Sequence, residues 1–325
     1  MGTAGTGVRG SDAGQDCPAA TGSVAGPNPR GDRVMKILPE PNRSDGAAGS
    51  AAELRSWKRE IAPDKVVGLV ATMGALHEGH RSLIRRARQQ CDLVALTIFV
   101  NPTQFGPGED YSNYPRTRDQ DLEIARAEEV DLVWFGNSDE MYPDDFATRI
   151  ELPSLSAQLC GESRPHFFAG VCLIVLKLFH LFEPDRAYFG EKDYQQLVNI
   201  ERMTRDLDLD LEVVRCPIVR EADGLAMSSR NVNLNPAARK EALALSRSLF
   251  RARELWMEGE ECPVQIRQQA TALYSSAVEL DYFEVVDRDH LVALERIEPG
   301  RGAVICVAAT IDGVRLIDNI QLEPR

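Results

Sequence analysis

The stretch that decides the fold of this chain is Ala71-Thr72-Met73-Gly74-Ala75-Leu76-His77-Glu78-Gly79-His80. The residues before it, 65–70, are mostly apolar, and residues 81–90 after it carry apolar side chains at helical spacing. This pattern predicts a buried strand, a turn that contains glycine, and a helix that begins at once. A junction of this kind suits an anionic ligand, because the free amides at a helix N-terminus carry positive potential.

Short apolar runs alternate with helical patterns further along the chain. The expected strands are residues 93–100, 130–135, 186–189 and 211–219, with a helix at 119–129. Strands that alternate with helices predict an α/β fold, a Rossmann-like doubly wound parallel sheet. Ligands in such sheets bind beyond the carboxyl ends of the strands, so chemistry is expected just after Val70, Val100, Phe189 and Val219.

The character of the sequence changes after residue 219. Two long helical patterns, 236–257 and 263–278, are followed by strand-like runs at 281–286, 303–308 and 314–317. They predict a second, smaller α+β domain at the C-terminus.

The N-terminal residues 1–34 have no aromatic side chain, eight glycines and three prolines. We therefore expect a disordered extension and linker over 1–52, a first domain over 53–219 and a second over 220–325.

The charge balance excludes several classes of partner. The 37 basic and 50 acidic side chains give a net charge of −13, which disfavours binding to nucleic acid or to an anionic membrane. The most apolar stretch, 170–182, is shorter than the roughly 20 residues of a membrane-spanning helix. Seven scattered cysteines without a CxxC motif are typical of reduced thiols, so we expect a cytoplasmic protein.

Two histidines stand at the predicted helix start. His77 and His80 are three residues apart, so both can face one ligand, and Gly74 and Gly79 allow a nucleotide to approach the backbone. Two imidazoles beside a helix N-terminus suit a triphosphate. A metal pair is the nearest rival interpretation, but no third histidine or cysteine lies at a useful spacing.

Three later junctions carry polar residues of the same kind. Gln104 follows the second strand, and Asp121 further on could hold Mg²⁺, although solvated helix capping explains an acid there equally well. Lys192, in Gly190-Glu191-Lys192-Asp193, supplies a positive charge for phosphate, and Gln196 lies one helical turn beyond. Met227-Ser228-Ser229-Arg230 joins the two expected domains, and its hydroxyls and guanidinium can cradle phosphate oxygens.

These four motifs, in this order, resemble the pantothenate synthetase (pantoate–β-alanine ligase) family, whose members belong to the nucleotidyltransferases with a His-x-Gly-His signature. The resemblance implies an ATP-dependent condensation of (R)-pantoate with β-alanine through a pantoyl adenylate. AMP and pyrophosphate are released, Mg²⁺ accompanies ATP, and the enzyme is a homodimer. Many members have two acidic residues where this chain has Gln120-Asp121, so Asp121 alone is the implied metal ligand.

The resemblance also implies residue roles. His80 and His77, with Lys192 and Arg230, are the implied catalytic group, and Gln104 and Gln196 are the implied pantoate ligands. The implied ATP contacts are Met73, Gly74, Ala75, Leu76, His77, Glu78, Gly79, His80, Gly190, Glu191, Lys192, Asp193, Val219, Met227, Ser228, Ser229 and Arg230. The segment 227–230 corresponds to a mobile phosphate-binding loop.

Two alternatives remain at this point. Another adenylyl- or cytidylyltransferase could use the same His-x-Gly-His site, although the paired glutamines argue against it. A nucleotide-binding regulator without catalysis is the second alternative. A protein that had lost catalysis is expected to have lost His80, Lys192 or Arg230 by substitution, and all three are present.

Overall fold

The computed structural model describes residues 1–2, 35–38, 51–61, 64–106, 108–109 and 111–325. The chain divides into two units, Met1–Val34 and Met35–Arg325. The disorder expected for 1–52 concerns residues that lie mostly outside the described part. Within the second unit, Lys36–Leu38 fall in the expected extension, but they form a strand of the main sheet.

The main sheet is parallel throughout, as the sequence predicts. Its strands are β1 (Lys36–Leu38), β2 (Val67–Thr72), β3 (Leu93–Ile98), β4 (Leu132–Phe135), β5 (Arg186–Gly190) and β6 (Glu212–Cys216). Their spatial order is β1-β4-β3-β2-β5-β6. From β2 the chain winds outward to one side through β3 and β4, and then to the other side through β5 and β6. This order confirms the Rossmann-like α/β class.

Helices cover the two faces of this sheet and connect its strands. They are α1 (Ala51–Ile61), α2 (Glu78–Gln90), α3 (Arg118–Ala127), α4 (Ser138–Met141), α5 (Pro153–Ser156), α6 (Cys160–Ser163), α7 (Phe167–Phe182) and α8 (Tyr194–Asp206). Short 3₁₀ turns occupy Pro102–Gln104 and Glu191–Asp193. Neighbouring strand residues face opposite layers: Leu69 packs in a core with α7 and α8, and Val70 packs in a second core with α2 and α3.

The C-terminal part is a three-stranded antiparallel sheet with two helices and a 3₁₀ turn. These elements are the turn Ser229–Asn233, α9 (Pro236–Met257), α10 (Pro263–Thr271), β7 (Glu279–Val286), β8 (Ala303–Ile311) and β9 (Val314–Leu322). The expected smaller α+β unit is therefore present, with β8 in the centre. Its core holds Trp256, Phe283 and Ile305 in full burial.

Two predicted boundaries in this part were wrong by five residues or more, while β7 begins at Glu279 rather than 281 and β8 ends at Ile311 rather than 308. The second helix ends at Thr271 rather than at residue 278, because the chain turns there and the Tyr274 hydroxyl reaches Ser248 Oγ on α9 at 2.7 Å. The last strand continues to Leu322, five residues beyond the expected end. Its extra residues pair with β8, a long-range contact that a local pattern does not contain.

None of the helices in the described residues is long and apolar enough to cross a membrane. The most apolar one, α7, has 16 residues and packs against the main sheet.

Candidate active site

A cavity of about 760 Å³ opens at the carboxyl ends of β2, β3 and β5 and is closed on one side by β9. Most of the predicted site residues line it, namely Met73, His77, Gly79, His80, Gln104, Gly190, Lys192, Asp193, Gln196, Val219, Met227, Ser228, Ser229 and Arg230. Gly74, Ala75, Leu76, Glu78, Glu191 and Asp121 are not among the lining residues. Segments far apart in sequence therefore meet at one cavity, as expected for a sheet of this class.

The two histidines form a reciprocal cap at the start of α2. His77 Nδ1 accepts from the Gly79 amide at 3.1 Å, and His80 Nδ1 accepts from the His77 amide at 3.3 Å. The rings lie with centroids 4.1 Å apart. Gly79 has to lack a side chain, because a Cβ there would come within 2.8 Å of the His77 ring. The His-x-Gly-His spacing is thus a local requirement of the helix cap.

Both imidazoles are neutral at ordinary pH. Burial lowers the pKa of His80 to about 3, helped by the neighbouring His77 and by the charge of Lys192. Burial and Lys192 also lower the pKa of His77. A neutral imidazole whose Nδ1 accepts a hydrogen bond carries its proton on Nε2. The pair therefore presents two Nε2–H donors, which can donate to ligand oxygens that gain negative charge during a reaction.

The turn before this cap is fixed by Asp121. One carboxylate oxygen accepts from the Leu76 amide at 2.8 Å and the other from the Ala75 amide at 3.1 Å. Thr117 Oγ1 donates to the same carboxylate at 3.2 Å. Gly74 and Ala75 both have positive φ, a conformation that is strained for Ala75 and is held by these bonds. Asp121 is buried beneath the turn and acts as its anchor.

Asp121 is therefore poorly placed for the expected Mg²⁺. Both of its oxygens are occupied by amides, and it does not line the cavity. Among the described residues no group of three or more His, Cys, Asp or Glu side chains could hold a metal ion. The metal-ligand role of Asp121 stays a prediction that this geometry does not favour.

Gln104 is oriented by its neighbours. Its Oε1 accepts from Asn101 Nδ2 at 3.1 Å, so the amide nitrogen points the other way, where it lies 3.1 Å from Met73 Sδ. Asn101 is in turn held by the Tyr142 hydroxyl, which donates to its Oδ1 at 2.7 Å. Burial raises the pKa of Tyr142 to about 12, so this hydroxyl remains a donor. The Gln104 nitrogen has two N–H groups and donates one to Met73 Sδ, so the other remains for a ligand in the cavity.

Two adjacent glutamines on α8 have different surroundings. Gln195 is buried and its side chain bonds the main chain of Leu155, Gln158 and Cys160. Both glutamines line the cavity, but only Gln196 is partly exposed. Because all of these Gln195 contacts are to protein, Gln196 is the better placed of the two to contact a ligand.

Lys192 lies on the turn after β5, with its ammonium 3.6 Å from Asp193 Oδ1. The turn is tied to the C-terminal sheet: Asn319 Nδ2 on β9 donates to the carbonyls of Glu191 and Lys192 at 2.8 and 2.9 Å. Gln321 Nε2 donates to Glu191 Oε1 at 3.0 Å. Glu191 is thus engaged in anchoring the turn, and Lys192 faces the cavity.

The segment that carries Arg230 follows a small hairpin. Met227 donates its amide to the Val219 carbonyl at 3.0 Å, and Arg220 pairs with Ala226 across the hairpin. The Ser229 hydroxyl lies 3.3 Å from the Tyr114 hydroxyl. The open end of the hairpin, at Val219 and Met227, is thus well bonded, and Met227, Ser229 and Arg230 line the cavity directly after it.

Sequence reasoning missed several lining residues. Arg164 and Glu109 form an ion pair at the cavity wall, and the Arg164 hydrogen bond lowers the pKa of Glu109. Arg315 and Asn319 reach the cavity from β9. Arg164 could have been noticed in the sequence from the run Arg164-Pro165-His166-Phe167-Phe168, in which a cation stands beside aromatic side chains. The β9 residues have no local motif, since they are brought in by the C-terminal sheet.

A strand-turn-helix junction with two imidazole donors at the end of a parallel sheet defines an α/β protein of the nucleotide-binding class. The model of the family described as pantoate-beta-alanine ligase matches residues 47–321. That match extends over most of the chain, so the chain belongs to the pantoate-beta-alanine ligase family.

Individual relatives agree with this membership. A pantothenate synthetase of Thermotoga neapolitana is 50% identical over 270 residues, covering 82% of this chain and 96% of the relative. The crystal structure of pantothenate synthetase from Thermus thermophilus has a TM-score of 0.80 and 41% identity, covering 89% of this chain and all of that one. Pantoate-beta-alanine ligase from Francisella tularensis, complexed with beta-gamma ATP and beta-alanine, has a TM-score of 0.70 and 31% identity, covering 90% and 99%.

Proposed function

We propose that this chain condenses (R)-pantoate with β-alanine at the expense of ATP and forms pantothenate through a pantoyl adenylate. The observation that carries the proposal is the convergence of two neutral Nε2–H donors, His77 and His80, with Lys192 on one cavity. Gln104 and Gln196 supply uncharged polar groups to the same cavity. Family membership and the ligands named for the Francisella relative support ATP and β-alanine as substrates.

In the first step a carboxylate oxygen of pantoate attacks the α-phosphorus of ATP. The bond from that phosphorus to the bridging oxygen breaks, and pyrophosphate leaves. Two anions approach one another, so the protein contributes mainly positioning and neutralisation of charge. Lys192 and Arg230 supply positive charge, and the imidazoles donate to oxygens that gain charge in the transition state. The ATP contacts proposed on sequence grounds, including Met227 and Ser228, belong to this step.

In the second step the β-alanine amine attacks the acyl carbon of the adenylate. The bond from the acyl carbon to the phosphate oxygen breaks, AMP leaves, and the amine loses a proton. We expect Gln104 to hold pantoate as a donor, because Asn101 fixes the direction of its amide. Mg²⁺ would arrive with the phosphates of ATP, where one or two protein oxygens suffice.

We further propose that residues 227–230 close over ATP and exclude water from the adenylate. Hydrogen exchange with and without ATP and pantoate tests this. Protection that rises only with ligands supports closure, and equal protection in both states argues for a preformed segment. The hairpin residues before this segment, 219–226, are already hydrogen-bonded to one another and are expected to change less.

A homodimer and a cytoplasmic location are also part of the proposal. The six described cysteines are all free thiols, in keeping with a reducing compartment. Sedimentation velocity across a range of concentrations measures the oligomeric state, and a purely monomeric protein at micromolar concentration would contradict the dimer.

The reaction is tested by incubating the purified protein with ATP, Mg²⁺ and pantoate, and measuring ATP–pyrophosphate exchange. Exchange that requires pantoate identifies the adenylation half-reaction. Addition of β-alanine should then yield equal amounts of AMP and pantothenate. Exchange with a different acid, or transfer of a nucleotide to a phosphate acceptor, would favour another nucleotidyltransferase.

A further inference from the structure

The C-terminal strand β9 reaches across to the segments that carry the phosphate-binding side chains. Its adjacent residues Asp318 and Asn319 are 4% and 3% exposed, although both line the cavity. Buried polar side chains on a strand need partners. In this case the partners belong to two different site segments.

Asn319 holds the turn of Lys192. Its single amide nitrogen donates to two consecutive carbonyls, those of Glu191 and Lys192, at 2.8 and 2.9 Å. Two bonds from one planar amide fix both peptide planes, and therefore the direction in which the Lys192 side chain leaves the backbone. The contact spans 127 residues of sequence between Lys192 and Asn319.

Asp318 holds the hairpin that leads to Arg230. Arg220 donates to both carboxylate oxygens of Asp318, at 2.6 and 2.9 Å, and its Nη1 also bonds the Gly224 carbonyl at 3.1 Å. The main-chain N–H of Asn319 donates to Asp318 Oδ1 at 2.8 Å, which ties the Asp318 carboxylate to the backbone that carries Asn319. A bidentate arginine–carboxylate pair is a directional contact.

We propose that Asn319 is a positioning residue for adenylation that acts through Lys192, with Asp318 giving the same strand a second anchor at the hairpin. Asn319 need not touch a substrate to have this role. The proposal rests on the proposed function, because it takes Lys192 as a phosphate contact. The C-terminal sheet would thereby fix the relative positions of the Lys192 turn and the hairpin that leads to Arg230.

The test is a double-mutant cycle between Asn319→Ala and Lys192→Met in the full-length protein. In the wild-type background, Asn319→Ala should lower kcat/KM for ATP in pantoate-dependent ATP–pyrophosphate exchange by about 10-fold or more, since small misplacements are costly in catalysis. The KM for pantoate should stay within about twofold. In the Lys192→Met background the same change should have less than about a twofold effect. Where exchange in a variant is too slow to measure, the same four proteins are compared by their dissociation constants for ATP, measured by calorimetry.

Ser248→Ala is the matched control. Ser248 is fully buried in α9, and its hydroxyl bonds Leu245 and Tyr274 rather than the cavity. It should lower the melting temperature without changing the KM for ATP. If Asn319→Ala does not fold, Asn319→Asp keeps the size of the side chain and removes the donor.

The outcomes separate the two proposals. If Lys192→Met loses exchange but Asn319→Ala weakens ATP binding equally in both backgrounds, Asn319 supports the fold only and this inference is overturned. Full activity of folded Asn319→Ala overturns it too. If Lys192→Met itself retains full exchange, the phosphate role of Lys192 fails, and the inference fails with it.

Discussion

His80 has two roles at the start of α2, as an acceptor in the helix cap and as a donor to the cavity. Replacement by asparagine separates them. The Nδ1 atom accepts from the His77 amide at 3.3 Å, and Nε2–H is the donor available to the cavity. Asparagine places an oxygen near the position of Nδ1, so the cap can persist, but it lacks an atom at the position of Nε2. Alanine removes both functions.

The magnitude follows from these two contacts. Loss of one preorganised donor to a developing charge lowers the rate by about 10²–10³-fold, or roughly 2.7–4 kcal/mol. We therefore expect His80→Asn and His80→Ala to lose at least about 10²-fold in adenylation. Loss of a helix cap costs about 0.5–2 kcal/mol, so the alanine variant alone should also melt about 1–4 °C lower.

Exchange of labelled pyrophosphate into ATP in the presence of pantoate measures the rate, and calorimetry measures the melting temperature. A pH series adds an independent readout. His80 takes up a proton near pH 3 in the folded protein and near 6.5 when unfolded. The unfolded state thus binds more protons between these values, so the contribution of His80 to stability is present above about pH 6.5 and is lost as pH falls. In His80→Asn the stability should fall less steeply below pH 6.

Two results would refute this reasoning. Exchange within a few-fold of wild type in folded His80→Asn would remove the Nε2 donor from the reaction. A rate in the wild-type protein that falls as pH rises through 6.5, and no longer does so in the variant, would mean that His80 acts as a cation.

Three other changes test separate parts of the site. Asp121→Asn should destabilise the 73–77 turn and lower the rate, yet leave the Mg²⁺ dependence of exchange unchanged; a large rise in the Mg²⁺ requirement would restore Asp121 as a metal ligand. Gln196→Ala should raise the KM for pantoate, with Gln104→Ala as a parallel case, while the dissociation constant of ATP stays within about twofold; equal losses for both substrates would contradict the assignment. Deletion of Met1–Val34 should leave activity and the melting temperature almost unchanged, because that segment lacks apolar anchors, and a drop of several degrees would be incompatible with this view.

The sequence alone determined the features that depend on neighbours in the chain. Alternating apolar runs and helical periods predicted the parallel sheet, and the residues after the strand ends of β2, β3 and β5 proved to line one cavity. The His-x-Gly-His pair could be predicted as a unit because i and i+3 residues cap the same helix turn. These patterns involve residues that are close in sequence, so they can be recognised before the fold is known.

Tertiary structure decided the rest. The edge strand Lys36–Leu38 is too short to have a pattern of its own, and it exists because β4 offers a parallel partner. Asp121 resembled a metal ligand in the sequence, but only the folded chain brings it within 2.8 Å of the Leu76 amide, 45 residues away. Asn319 has no motif at all. The pairing of β9 with β8 places its side chain against the Lys192 carbonyl. Contacts of this kind join segments that are distant in sequence, so a local pattern does not record them.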